Sequence, residues 1–198
     1  KLAGIAYILA VVLGIVVGVV AAVNHGKWVD SALMTISVFG ISAPAFWIAI
    51  ILQIVICLKF NLLPLSGIDS FKSFILPGIA LGTRYAASIA RITRTSMLDV
   101  LSQDYIRTAE AKGLKGWVVT IKHALRNALI PIITIAGSDL GNILTGSVLV
   151  ESVFSIPGIG KMLVDSINTR DLPIVQGGVM YIAVICVIMY LVVDLLYT

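Results

Sequence analysis

The chain has 198 residues, of which 59% are hydrophobic and 12% charged, with a net charge of +4 and a mean hydropathy of +1.07. Charged residues run at about half the level usual for soluble domains, which excludes an ordinary water-soluble globule. The positive balance calls for no nucleic-acid partner, because most of it is accounted for by where lysine and arginine fall around membrane spans.

Five stretches are long and apolar enough to cross a hydrocarbon core about 30 Å thick, which takes about 20 helical residues. Residues 2–23 are uncharged. Lys1 and the small Ala21 and Ala22 resemble a signal peptide, but the run exceeds the roughly 7–15 residues of an h-region and predicts a true span. Residues 31–58 are also uncharged and predict a second span, kinked at Pro44. Residues 75–98 hold Arg84, Arg91 and Arg94; Pro77 lies at their start, where a missing N–H costs little. Residues 127–150 hold only Asp139, and Pro131 near their beginning predicts a bend. Residues 172–193 are again uncharged. None of these runs alternates as a barrel strand does, and lipid offers no partner to unpaired amides. The expectation is therefore an all-α polytopic membrane protein, one unit over 1–198, without internal repeats or a soluble domain.

Alternate loops share a side. The side of 24–30 and 99–126 collects Lys27, Arg91, Arg94, Arg107, Lys112, Lys115, Lys122 and Arg126. The other collects Lys59, Lys72, Lys161 and Arg170, with Lys1 at the chain end. The positive-inside rule puts the 99–126 loop in the cytoplasm, the N-terminus outside and the C-terminus inside. The 59–74 and 151–171 loops then face the exterior, the latter punctuated by Pro157-Gly158 and Gly160 into a turn and a short helix.

The cytoplasmic island predicts a helix of about ten residues, begun by Ser102 or Asp104 as cap and ended by Lys112 and Gly113. Such a helix is too short to be stable alone and must dock. Ala109 and Ala111 permit close approach, and Tyr105 and Ile106 supply bulk. Lying on lipid headgroups is the alternative reading.

Here the residues resemble a known family. The general importer-permease signature is E-A-A, three residues, Gly, nine residues, Ile, one residue, Leu-Pro; only Ala109, Gly113 and Leu125 meet it literally. The departures are those of the dipeptide/oligopeptide/nickel branch, which looks like DYxRTAxAKGL … HALRNALIP, and 104–114 and 123–131 fit that form closely. Ala90-Arg91-Ile92-Thr93-Arg94, Glu151-Ser152-Val153-Phe154 with Pro157-Gly158-Ile159-Gly160, and Arg170-Asp171-Leu172-Pro173 extend the match. The chain thus resembles the permease subunits of these ATP-binding-cassette (ABC) importers over essentially its whole length.

The resemblance implies a type I importer permease fold, here lacking the first helix and exterior segment that members normally carry. It implies coupling to a cytoplasmic ATPase through Arg107, Thr108, Ala109, Glu110, Ala111, Lys112, Gly113 and Leu114. It also implies an extracytoplasmic loop carrying Glu151, Phe154, Pro157, Gly158 and Gly160. The implied partners are a homologous second permease, two ATPases, an extracytoplasmic binding protein and membrane lipid, in the inner membrane of a bacterium or archaeon. The implied cargo is di- or oligopeptides, with nickel or a nickel chelate as the alternative. An ATP-independent channel or secondary transporter is the rival from another class. ATP and Mg would sit on the partner ATPases: nothing in this chain resembles a phosphate-binding glycine loop or a nucleophile–base pair, so it is read as no enzyme and as binding no cofactor, metal or nucleic acid itself.

Charges within the spans remain to be placed. Arg84 lies about 13–14 Å in from the start of its span and Asp139 about 16–17 Å from the exterior end of its own. Opposite charges at one depth should pair or face water, so the two predict either a structural ion pair or a polar lining of the translocation path. Arg91 and Arg94, near the cytoplasmic end, can snorkel. Cys57 and Cys186 read as small buried hydrophobes. His25 and His123 are too isolated for a metal site, and His123 is expected to pack on the signature helix.

Overall fold

A computed structural model describes residues 1–68 and 70–197, with the side chains of 144–146, 194, 196 and 197 left aside. Residue 69 of the predicted exterior loop and residue 198 lie outside the described residues. Helix α1 (Leu2–Val23) ends where the Asn24 side chain donates to the Val20 carbonyl at 2.9 Å and Gly26 turns the chain at φ +75°. Helix α2 (Trp28–Ser42) and α3 (Ala45–Leu52) follow, α3 running on into a π-helical turn, Gln53–Lys59. A 3₁₀ turn (Phe71–Phe74) leads into α4 (Ile75–Leu101), then α5 (Asp104–Ala111). Helix α6 (Gly116–Val118) passes through a second π-helical turn (Val119–Leu125) directly into α7 (Arg126–Val153). Helix α8 (Ile159–Asn168) and α9 (Leu172–Tyr197) complete the chain.

The second predicted span is not a kinked rod. It breaks into α2 and α3, whose axes differ by 106°. The cause is local: proline drives the residue before it out of the helical region, and Ala43 sits extended at ψ 132° ahead of Pro44. The bent pair still joins the two ends of the bundle. At one end Asp30 meets Arg94 of α4; at the other the Gln53 side chain donates to the Val153 carbonyl at 3.1 Å. Among the described residues, three helices are long and apolar enough to cross a membrane, or four when the bent pair counts as one. Helix α4 is long enough, at 27 residues, but its arginines hold down its hydropathy. It compensates by being the innermost helix, packed against α1, α2, α3 and α7.

Small residues make that central packing possible. Ala6, Ala10, Gly14, Gly18 and Ala22 recur every four residues along α1 and are all buried. A Cβ at Gly14 would lie 2.8 Å from the Ala86 carbonyl oxygen, and one at Gly82 would lie 2.8 Å from that of Ala6. One at Gly18 would collide with Thr93. The pairing of 6 with 82, 14 with 86 and 18 with 93 makes α1 and α4 parallel, joined by the small-xxx-small seam that lets backbones approach in lipid. Parallel neighbours need a return path between them, which α2 and α3 supply. Helices α4 and α7 run antiparallel: Leu76 and Ala80 share a core with Phe154 and Ile143, while Met97 and Ile89 share another with Ala124 and Ile132.

Two further expectations change. The predicted 99–126 loop is helical from Gly116 onward, so its true loop content is short. No bend begins at Pro131, which lies inside a continuous α7; the irregularity sits upstream in the π-helical turn.

Candidate functional site

The basic end of the bundle carries α5. Its N-cap position is held by Gln103, not by Ser102 or Asp104, and no side-chain cap bond forms there. Its C-terminus is built as expected of glycine: Gly113 sits at φ +78°, its N–H donates to the Glu110 carbonyl at 2.8 Å, and that of Leu114 reaches the Ala109 carbonyl at 3.4 Å. That pair of bonds is the Schellman arrangement. Ile106 and Ala109 are buried in one core with Met97, Val119 and Ala124, so the helix docks first on its own chain. Ala109 therefore faces inward, whereas Arg107, Thr108, Glu110, Ala111, Lys112, Gly113 and Leu114 are exposed. Tyr105 and Trp117 add apolar surface beside them, Trp117 being 68% exposed. Arg107, Lys112, Lys115, Lys122 and Arg126 are all exposed at this end. The surface suits a protein partner that meets a short helix ringed by cations.

Above α5 lies a polar knot that the sequence reading missed. Arg94 does not snorkel: its Nε and Nη2 donate to the two Asp30 carboxylate oxygens at 2.6 and 2.7 Å. The Gly26 N–H donates to Asp30 Oδ2 at 3.2 Å, and His25 Nδ1 lies at the same distance from that oxygen. Asp30 is buried, 4% exposed, and a buried charge is tolerable only when it is paired and hydrogen-bonded. The signal was an acid at the mouth of an apolar run, one turn of chain from a glycine. The knot pins the α1–α2 corner to α4, whose end is separated from α5 only by Ser102 and Gln103.

At mid-depth, Arg84 on α4 is exposed and Asp139 on α7 is half-buried. Each lies within reach of the other's charge, yet they form no ion pair among the described residues. Asp139 Oδ2 is enclosed and has no hydrogen-bond partner. Nearby, the Tyr190 hydroxyl of α9 donates to Asn142 Oδ1 at 2.9 Å.

At the opposite end, Glu151 caps α8. Its Oε2 accepts from the Gly160 N–H at 2.8 Å and the Lys161 N–H at 3.4 Å, a carboxylate placed on a helix N-terminus. A Cβ at Gly158 would collide with that carboxylate, and one at Gly160 with Val148, so both glycines serve close approach. Phe154 is buried, 1% exposed, in the outer core, and Pro157 is exposed. Arg170-Asp171-Leu172-Pro173 also gains a structural meaning. Arg170 ends the α8 corner at φ +57°, and Asp171 Oδ1 accepts the Ile174 N–H at 3.3 Å to start α9.

The profile of the family described as "Binding-protein-dependent transport system inner membrane component" matches residues 14–198. This chain belongs to that family. As such an inner membrane component it is a multi-pass protein of the cytoplasmic membrane, as its segregated basic end predicts. It is similar to the glutathione transport system permease protein GsiC of Escherichia coli (strain K12), with 45% identity over 188 residues. That match takes in 95% of this chain and 61% of the relative. The GsiC protein of Salmonella choleraesuis (strain SC-B67) is also 45% identical, over 96% of this chain and 62% of its own length. The chain thus spans about three-fifths of the curated relatives it matches. Among solved structures, the crystal structure of an amino acid ABC transporter with histidines matches with a TM-score of 0.66. It takes in 96% of this chain and 85% of that one at 18% identity, a likeness of fold alone.

Proposed function

We propose that this inner membrane component forms one half of the translocation path of an ATP-driven importer for small peptides. It pairs with a homologous permease, receives cargo from an extracytoplasmic binding protein, and is moved by two cytoplasmic ATPases that hold the ATP and Mg. The 45% identity to permeases named for glutathione transport carries this reading. The exposed residues from Arg107 to Leu114 are the docking surface for the ATPase, and the cap made by Glu151, Gly158 and Gly160 holds α8 over the outer mouth for the binding protein.

The mechanism follows from rigidity. Helix α4 is unbroken from its junction with α5 to beyond Arg84, and ten residues of helix between Arg94 and Arg84 span about 15 Å. A displacement imposed on α5 is delivered along α4 to mid-depth, with α1 carried along by the glycine seam and α2 by the Asp30–Arg94 pair. Such rigid-body rocking of packed helices opens one mouth as it closes the other.

The test is reconstitution of the complete transporter in proteoliposomes. Uptake of labelled glutathione and dipeptides is expected to require ATP, the ATPases and the binding protein together. Uptake driven by an ion gradient without the ATPases would overturn the importer reading, and uptake of nickel with no peptide uptake would overturn the cargo.

A further inference from the structure

Among the described residues, the apolar helices carry a mid-level pair of opposite charges that the internal packing leaves unpaired. Ala80 and Leu81 share the outer core with Ile143, and Ile89 shares the inner core with Ile132 and Ala136. Arg84 and Asp139 therefore stand at one level, between the two cores, on neighbouring antiparallel helices. Each lacks an ion-pair partner among the described residues, and Asp139 Oδ2 is enclosed with nothing to accept from. A guanidinium offers five donors and an ionised carboxylate accepts only, so both groups call for a partner of opposite charge. Arg84 is exposed at a depth where lipid does not tolerate arginine, and it must face water or protein.

The walls of the cluster are polar and firm. Tyr85 lies within reach of the charges of both Arg84 and Asp139 and close to Tyr190. The Tyr190 ring is packed so tightly on α7 that a Cβ at Gly141 would lie 2.7 Å from its Cζ. Its hydroxyl is held by Asn142, one turn beyond Asp139.

We infer that Arg84 and Asp139 form a two-point subsite for a small zwitterionic peptide, Arg84 taking the carboxylate and Asp139 the ammonium group. The inference rests on the peptide-importer reading above and assigns the charged termini of that cargo to two residues of this chain. Neutralising the pair by direct contact would remove the site; two unpaired opposite charges at one level instead match a ligand that carries both signs. Charge-assisted hydrogen bonds of this kind are roughly twice as strong as neutral ones. Selectivity follows because a blocked terminus leaves a charged group unpaired, which costs far more than a lost apolar contact.

The experiment uses the complete transporter in proteoliposomes and compares ATP-driven initial uptake of a free dipeptide, its N-acetyl derivative and its C-terminal amide. The binding protein is the same throughout, so its selectivity cancels from each variant-to-wild-type ratio. Asp139→Asn is expected to cut the preference for the free over the acetylated peptide about tenfold while leaving the preference over the amide unchanged. Arg84→Gln is expected to do the reverse. Asp139→Glu and Arg84→Lys keep the charges and alter only their reach; each is expected to weaken its own preference severalfold, and preferences equal to wild type in assembled complexes overturn the inference. Equal loss for all three probes also overturns it, assigning the residues to pairing between permease subunits. Wild-type vesicles that move none of the probes under ATP bring down the peptide-importer reading, and the subsite with it, which is a different result from either.

Discussion

Asp30 illustrates how a single side chain orders a corner of the fold. It accepts from Arg94 on α4 and from the Gly26 backbone, with His25 beside it, so α4 and the α1–α2 corner converge on one carboxylate. Arg94 is itself mostly sheltered, 23% exposed. Removing one member of such a pair strands the other charge, at about 3 kcal/mol or more. Asp30→Ala is therefore expected to lower the apparent melting temperature of the purified protein in detergent. The paired reversal Asp30→Arg with Arg94→Asp is expected to recover part of the loss. A midpoint unchanged in Asp30→Ala would show that the knot holds nothing.

At the scale of elements, the most exposed question is how an eight-residue helix keeps its shape. Helix α5 has a weak start, with no side-chain cap, and a strong end, with two backbone bonds made possible by Gly113 at positive φ. Nothing lies within 4 Å of where a Gly113 Cβ would sit, so any penalty there is conformational and not steric crowding. A left-handed residue with a β-carbon costs about 1–2 kcal/mol, and a β-branched one more. Gly113→Val is expected to leave the protein in the membrane but to speed amide hydrogen exchange across 104–114 and weaken ATPase association. Normal exchange and normal association in that variant would remove α5 from the coupling role. Gly18 offers the opposite case, a helical glycine whose only duty is space, since a Cβ there meets Thr93 and Ala90 of α4.

For the whole molecule, the parallel α1–α4 pair and the antiparallel α4–α7 and α7–α9 pairs sort the ends of all the long helices into two groups. One end holds Leu2, Leu76, Phe154 and α8; the other holds α5 and the exposed Arg107, Lys112, Lys115 and Lys122. This arrangement fixes what sidedness must look like. A cysteine placed at Asn168 is expected to react with an impermeant reagent from outside the cell, and one placed at Trp117 only after the membrane is opened. Both residues are exposed in this chain, so in cells that express the permease without its ATPases and binding protein access is set by topology. The reverse pattern of labelling would invert the molecule and refute the positive-inside assignment.

What the sequence determined by itself was whatever depends on composition and on local backbone rules. Uncharged runs of span length, the asymmetry of lysine and arginine, Gly113 after a short helix and the glycines around Pro157 each have a physical meaning that needs no neighbour. The motifs that match the family were legible for the same reason, as ordered residues along one chain. Tertiary structure decided everything that depends on which faces meet. Pro44 announces a disruption, but only the fold shows how wide the break is, 106°, and that the segment beyond it packs on α4 and α7. Ala109 reads as a small residue for close approach to a partner, and the fold uses it for close approach within the chain, beside Ile106. Arg94 reads as a snorkelling cation until Asp30, 64 residues away, closes on it. Arg84 and Asp139 sit at matching depths in the sequence, and the fold brings them within reach without joining them. Depth along a helix is set by counting residues, whereas the angle at which a side chain leaves that helix acquires a consequence only when another helix lies beside it.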